Sequence, residues 1–179
     1  MAGRATAELF WRGTMNRLRR LTIAATLSLT LVSVPATSLA ATDVTYGLGG
    51  SEISATSSTG IFVGVAGASD DAGFWQATVV HGPLPTAVGS SAAVVGGNFA
   101  LNGWRRDLGG AVTGGSIKLL TTSSCGKQTY DVVGSVAVNQ GATGTASFGT
   151  VLTHYRLKVW GRCITYGATV KGSVSFHLQ

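Results

Sequence analysis

The residues best equipped for chemistry sit near the end of the chain, in the stretch VLTHYRLKVWGRCITYG at 151–167. It carries His154, three bases (Arg156, Lys158 and Arg162), Trp160 and Cys163. If the stretch is extended, its side chains alternate between two faces. Val151, Thr153, Tyr155, Leu157, Val159 and Cys163 share one face, which reads as the core side. Leu152, His154, Arg156, Lys158, Trp160 and Arg162 share the other, a basic row with a flat aromatic platform. Such a row suits a sulfated or acidic glycan, a phosphate-bearing surface or a nucleic acid. It equally suits a wetted strand face, where Arg and Lys discourage edge pairing. Upstream, Ala146, Phe148 and Leu152 put the apolar phase on even positions, so a bulge is expected near Gly149–Thr150.

A second cluster lies in NGWRRDLGG, 102–110. Asn102–Gly103 is a hairpin-turn signal, because both positions tolerate positive φ. Trp104, Arg105 and Arg106 follow it as a contact loop, with Asp107 on hand to neutralise one arginine.

Catalytic patterns are absent. His81, His154 and His177 form neither H-x-H nor H-E-x-x-H, and there is no G-x-S-x-G elbow or phosphate-cradling glycine loop. Asp70 and Asp71 are candidates for a carboxylate pair with Glu52 or Asp131, or for a weak calcium site. Adjacent aspartates in SDDAG are more simply turn formers, since Asp bonds to nearby backbone there. No catalytic residue, cofactor or metal is assigned.

The elements that position these residues begin after a leader. Residues 1–40 read as a signal peptide: MNRLRR supplies the basic start, LTIAATLSLTLVSV the apolar run, and PATSLA a small-residue cleavage site before Ala41. Met15 is a second candidate start, and Arg19–Arg20 raises the twin-arginine route beside the general secretory one. The whole chain carries a formal charge of +6, but residues 41–179 keep eight bases against six acids, a net of +2. The basicity therefore belongs mostly to the leader, and nucleic acid is not an expected partner. An exported chain meets an oxidising compartment, so its two cysteines, Cys125 and Cys163, are expected to bridge.

Residues 41–179 form one domain's length, rich in Gly, Val, Thr and Ser. Period-two alternation dominates. In the last segment Tyr166, Ala168, Val170, Val174, Phe176 and Leu178 share an apolar face, leaving His177 on the polar one. Similar runs at 51–57, 60–69, 74–82, 92–101, 115–123 and 128–138 are separated by turn signals. No run of helical period is found beyond the leader. The expected fold is all-β: a single antiparallel barrel or sandwich of about eight or nine strands.

The expected function is that of a secreted protein, extracellular or periplasmic, that binds without catalysis or serves the envelope surface. Its expected partner is an anionic glycan or an envelope surface, met by His154, Arg156, Lys158, Trp160 and Arg162 or by Trp104, Arg105 and Arg106. The alternatives are a barrel carrying a small apolar ligand and a small enzyme with dispersed catalytic residues. No apolar run suited to a transmembrane helix remains after residue 40, and an outer-membrane barrel is disfavoured by the bridge and by the polar face of the last segment.

Overall fold

The structure, a computed structural model, describes residues 41–179. The signal-peptide reading of 1–40 lies outside the described residues. Eight strands follow one another: β1 (Thr42–Ala55), β2 (Thr59–Gly67), β3 (Ala72–His81), β4 (Ser91–Gly103), β5 (Asp107–Thr122), β6 (Lys127–Gln140), β7 (Gly144–Val159) and β8 (Arg162–Leu178). Each is antiparallel to the next, and β8 returns to β1 to close a barrel in plain sequence order. The all-β expectation is met by the barrel rather than the sandwich.

Alternation explains the strands. On β8, Val170, Val174, Phe176 and Leu178 point inward and are buried, while Lys171, Ser175 and His177 face water. On β6, Tyr130, Val132, Val136 and Val138 do the same. The interior is apolar, and the outward positions mix Ser, Thr, Lys and Asp with exposed apolar side chains such as Val65, Phe74 and Val95. Eight strands leave an interior that side chains can fill. Tyr46 meets Phe176 edge-on, Phe176 meets Phe99, and Phe99 stacks on Trp75, with successive ring centroids 5.9, 6.0 and 6.3 Å apart. Beside the Trp75–Phe99 stack remains an apolar cavity of about 40 Å³, lined by Leu48, Phe62, Trp75, Phe99, Phe148 and Val170 among others.

Glycine makes room for this filling. A Cβ on Gly64 would run into the Gly49 carbonyl oxygen, the Gly50 backbone and the Trp75 indole nitrogen. The Trp75 indole N–H donates to the Gly49 carbonyl at 3.2 Å, so ring and strand backbone lie close together.

The structure departs from the sequence reading in three places. β1 begins at Thr42, well before the first strand run expected at 51–57; closure supplies the β8 ladder that the glycines of YGLGG do not advertise. Asn102 and Gly103 end β4, and the turn is Trp104–Arg106. On β7 the expected phase is inverted: Leu152 and His154 are buried, whereas Val151 and Leu157 are 42% and 55% exposed. The expected bulge at Gly149–Thr150 does not occur, because β7 pairs with β8 without a slip from Gly144 to Tyr155. The even phase of Ala146 and Phe148 simply continues. The slip falls one turn later, where Tyr155 pairs Gly167 and Arg156 pairs Thr165, leaving Tyr166 as the extra residue.

The meander puts the turns 68–71, 104–106 and 141–143 at one end of the barrel with both strand termini. The turns 56–58, 82–90, 123–126 and 160–161 lie at the other. There Cys125 and Cys163 are bridged, as expected, tying the β5–β6 turn to the start of β8.

Gly64→Ala is expected to cost about 2 kcal/mol or more in urea unfolding, as overpacking does. Gly49→Ala, whose Cβ meets nothing within 4 Å, is expected to stay within about 0.5 kcal/mol of the parent. Equal effects would contradict the close approach of β1 and β2 beneath Trp75.

Candidate functional site

The two basic clusters of the sequence lie at opposite ends of the barrel, and their surroundings differ. At the end bearing the strand termini, Arg106 grips Asp70 through both terminal guanidinium nitrogens, at 2.9 and 3.4 Å. Arg105 approaches the same carboxylate at 4.0 Å. The expected neutraliser, Asp107, is not the partner; Asp70 is, because the β2–β3 turn lies beside the β4–β5 turn. Asp71 is buried and works as a clamp. It accepts from the Tyr46 hydroxyl at 2.8 Å, the Arg105 amide at 3.0 Å and the Ala72 amide at 2.9 Å. The two aspartates therefore hold turns together, and Glu52 is too far along β1 to pair with either. Trp104 stands 86% exposed beside them.

These contacts shape the titration of that end. The Arg106 hydrogen bond holds the Asp70 carboxyl below its usual range. Burial pushes Asp71 upward, but the Tyr46 hydroxyl and the Arg105 and Ala72 amides outweigh it and hold its carboxyl low as well. Burial, then the bond to Asp71, raises the Tyr46 phenol.

The disulfide-bearing end is built differently. Trp160 and Gly161 make the two-residue β7–β8 turn, with φ of +46° and +77°. Positive φ at both positions matches the twist of a tight hairpin. A tryptophan there is unusual, since the left-handed region costs an L-residue roughly 1–2 kcal/mol. Its side chain packs on nothing and is 99% exposed. Lys158 and Arg162 flank it, both exposed, and Lys127 lies over the Tyr155 ring at 5.4 Å. The basic row is thus a hairpin tip and not one face of one strand. Arg156 stands lower and is half-buried over the barrel mouth.

Inside that mouth lies a pair the sequence did not couple. The His154 Nε2–H donates to Glu52 Oε2 at 2.7 Å, and both side chains are less than a tenth exposed. The Tyr130 ring meets the imidazole edge-on at 5.4 Å. Burial raises the Tyr130 phenol, the Arg156 charge counters this in part, and Glu52 adds to it. Glu52 and His154 lie 102 residues apart, on strands that are not neighbours, and they meet only because the sheet closes. Sequence reasoning missed the pair because it placed His154 on a polar face; the available signal was the even apolar phase of Ala146, Phe148 and Leu152, which continues to His154. His81, also buried, donates from Nδ1 to its neighbour's carbonyl, Gly82, at 2.6 Å and is a satisfied structural histidine. His177 sits on the outer face as expected, paired with Asp43 at 2.6 Å.

Fold and site together define an eight-stranded up-and-down barrel with an apolar filling, one end clamped by aspartate and the other carrying a bridged, basic hairpin tip. Comparison with known protein families, curated proteins and solved structures finds no match to this chain.

The clamp gives a pH prediction. Carboxyls held low contribute stability that is complete above the ordinary carboxylate pKa of about 4 and is lost as pH falls through their folded values. Melting temperature should therefore drop on acidification below about pH 4. Asp71→Asn should melt lower than the parent at pH 7 and show a shallower acid dependence. Tyr46→Phe should lower Tm by on the order of 5 °C at pH 7. An unchanged acid slope in Asp71→Asn would refute the clamp.

Proposed function

We propose that this is an exported binding protein that takes an anionic ligand at the disulfide-bearing end of its barrel. The ligand class is an acidic or sulfated glycan or an anionic envelope surface. Export rests on the leader reading, and the Cys125–Cys163 bridge supports an extracellular or periplasmic setting. One observation carries the choice of site. Lys158 and Arg162 flank an exposed Trp160, Arg156 and Lys127 stand lower at the same end of the barrel, and among the described residues none of the four is ion-paired. Arg105 and Arg106 at the other end are already engaged by Asp70. Free bases beside a displayed aromatic ring are what an anionic, ring-bearing ligand needs: charge for attraction, a flat face for stacking. The positive φ of Trp160 supports the same reading, because a strained position at a surface tip is retained more readily for contact than for stability.

The carrier alternative draws little support from the interior. Benzene-sized ligands use cavities of about 150 Å³, whereas this one measures about 40 Å³. The enzyme alternative has the Glu52–His154 pair in its favour. Among the described residues, however, His154 hydrogen-bonds to Glu52 alone, and nucleophilic catalysis would need a hydroxyl or thiol in its reach.

Retention on a heparin-type matrix at moderate salt tests the proposal. The parent is expected to bind. Lys158→Glu combined with Arg162→Glu should flow through, while Arg105→Glu combined with Arg106→Glu should still be retained. Trp160→Asn should bind more weakly yet melt no lower than the parent, since Asn tolerates positive φ. Unchanged retention of the Lys158/Arg162 variant would overturn the assignment.

A further inference from the structure

The ladder that closes the barrel is incomplete. β1 pairs with β8 from Thr42↔Leu178 to Gly50↔Val170 and no further. Both strands continue past that point. β1 runs on to Ala55, still paired with β2, and β8 reaches back to Arg162, still paired with β7. Two strand edges therefore face each other without being joined. Glu52, Ile53, Ser54 and Ala55 line one side of the groove between them, and Thr165, Tyr166, Gly167 and Ala168 line the other.

The opening has local causes on both sides. β1 slips by one residue at Ile53, between Glu52↔Phe62 and Ser54↔Ile61. β8 slips by one at Tyr166. A bulge bends its strand and increases the local twist, so the two edges do not stay in step. Each edge is also held by a different support: the β1 end by the β1–β2 hairpin, and the β8 end by the disulfide to the β5–β6 turn.

Bulges by themselves can serve to blunt an edge. This pair differs in what surrounds the free backbone. Lysine and proline, the usual edge guards, are absent from SEISA (51–55) and from CITYGAT (163–169). The rims are apolar instead: Ile53 is 62%, Ile164 47% and Tyr166 68% exposed. On the inner side lie Ala168 and Glu52, the latter bonded to His154, so small guest side chains are favoured there.

We infer that this open seam is a strand-addition site and that its occupant is an extended, acidic segment of another polypeptide. Strand addition draws affinity from main-chain hydrogen bonds and specificity from alternate side chains. Here outward guest residues would meet Ile53, Ile164 and Tyr166, and inward ones would lie over Glu52 and Ala168. The acidic character follows from the bases at the same end. Arg156 pairs with the groove residue Thr165, and Lys158 and Arg162 lie further along the same hairpin. Glu52, the one acid lining the groove, is already bonded to His154. A second copy of the chain would set these bases against their own counterparts, so charge favours a foreign acidic strand. The inference rests on the anion-binding proposal for this end and adds an acidic polypeptide to the anionic ligands taken there.

Altering the ligand rather than the protein avoids any question of folding. The probe is a capped eight-residue peptide with alanine at alternate, inward positions and valine or glutamate at the outward ones. Its control carries N-methyl groups on alternate amides, which leaves charge and side chains intact and removes ladder donors. A sulfated heparin oligosaccharide is the third probe. The unmodified peptide is expected to bind and to slow hydrogen exchange at seam amides within 51–55 and 162–169, and N-methylation should weaken binding roughly thirtyfold or more. Equal binding of both peptides overturns strand addition, and so does binding of the oligosaccharide alone; in either case the anion-binding proposal stands. Binding of no probe removes both. A concentration-dependent dimer of the free protein with protected seam amides would overturn the choice of occupant.

Discussion

Everything in this molecule depends on the return of β8 to β1. Nine residue pairs, Thr42↔Leu178 to Gly50↔Val170, turn a meander with two raw edges into a closed sheet. Closure gives the inward side chains of all eight strands a single shared interior, so each strand need bury only one face. It also brings together residues that are distant in the chain. Tyr46 and Phe176 touch across it, and so do Glu52 and His154. The glycines at 50 and 64 belong to the same constraint, because a sheet wound this tightly around Trp75 has no room for a Cβ there.

The ends of the barrel solve different problems. At the end carrying the termini, polar groups are used up internally: Asp71 satisfies a tyrosine and two amides, and Asp70 occupies the nearby arginines. At the other end the bases stay free, a tryptophan is held out at positive φ, and the closing ladder stops short. The disulfide is what allows that end to be irregular. Constraining a 38-residue separation stabilises the fold by about 4 kcal/mol in the chain-entropy picture, which offsets missing ladder bonds and a strained turn.

Much of the fold was legible because it is local. The alternation of 168–178 shows which face of β8 is buried, and the hairpin of β2 and β3 follows from two apolar runs around SDDAG. What sequence could not show was non-local. YGLGG lacks the side chains that mark a strand, and it is one only because β2 and β8 flank it. The phase of β7 was misread because the basic residues drew the polar face onto even positions. A buried histidine is tolerable there only with Glu52 opposite, a partner from another strand. The same argument applies to the candidate site. Arg156, Lys158, Trp160 and Arg162 were visible as a group, but their freedom from acids, and the engagement of Arg105 and Arg106, depend on which turns share an end.

The most direct test of this account is residue-resolved hydrogen exchange on the free protein. Amides of the β1–β8 ladder, within 42–50 and 170–178, are predicted to exchange as slowly as those in the centre of β4 and β5. Seam-facing amides within 51–55 and 162–169 are predicted to exchange orders of magnitude faster. Fast exchange in the ladder would deny closure, and uniformly slow exchange along both whole strands would deny the opening on which the proposed strand-addition site rests.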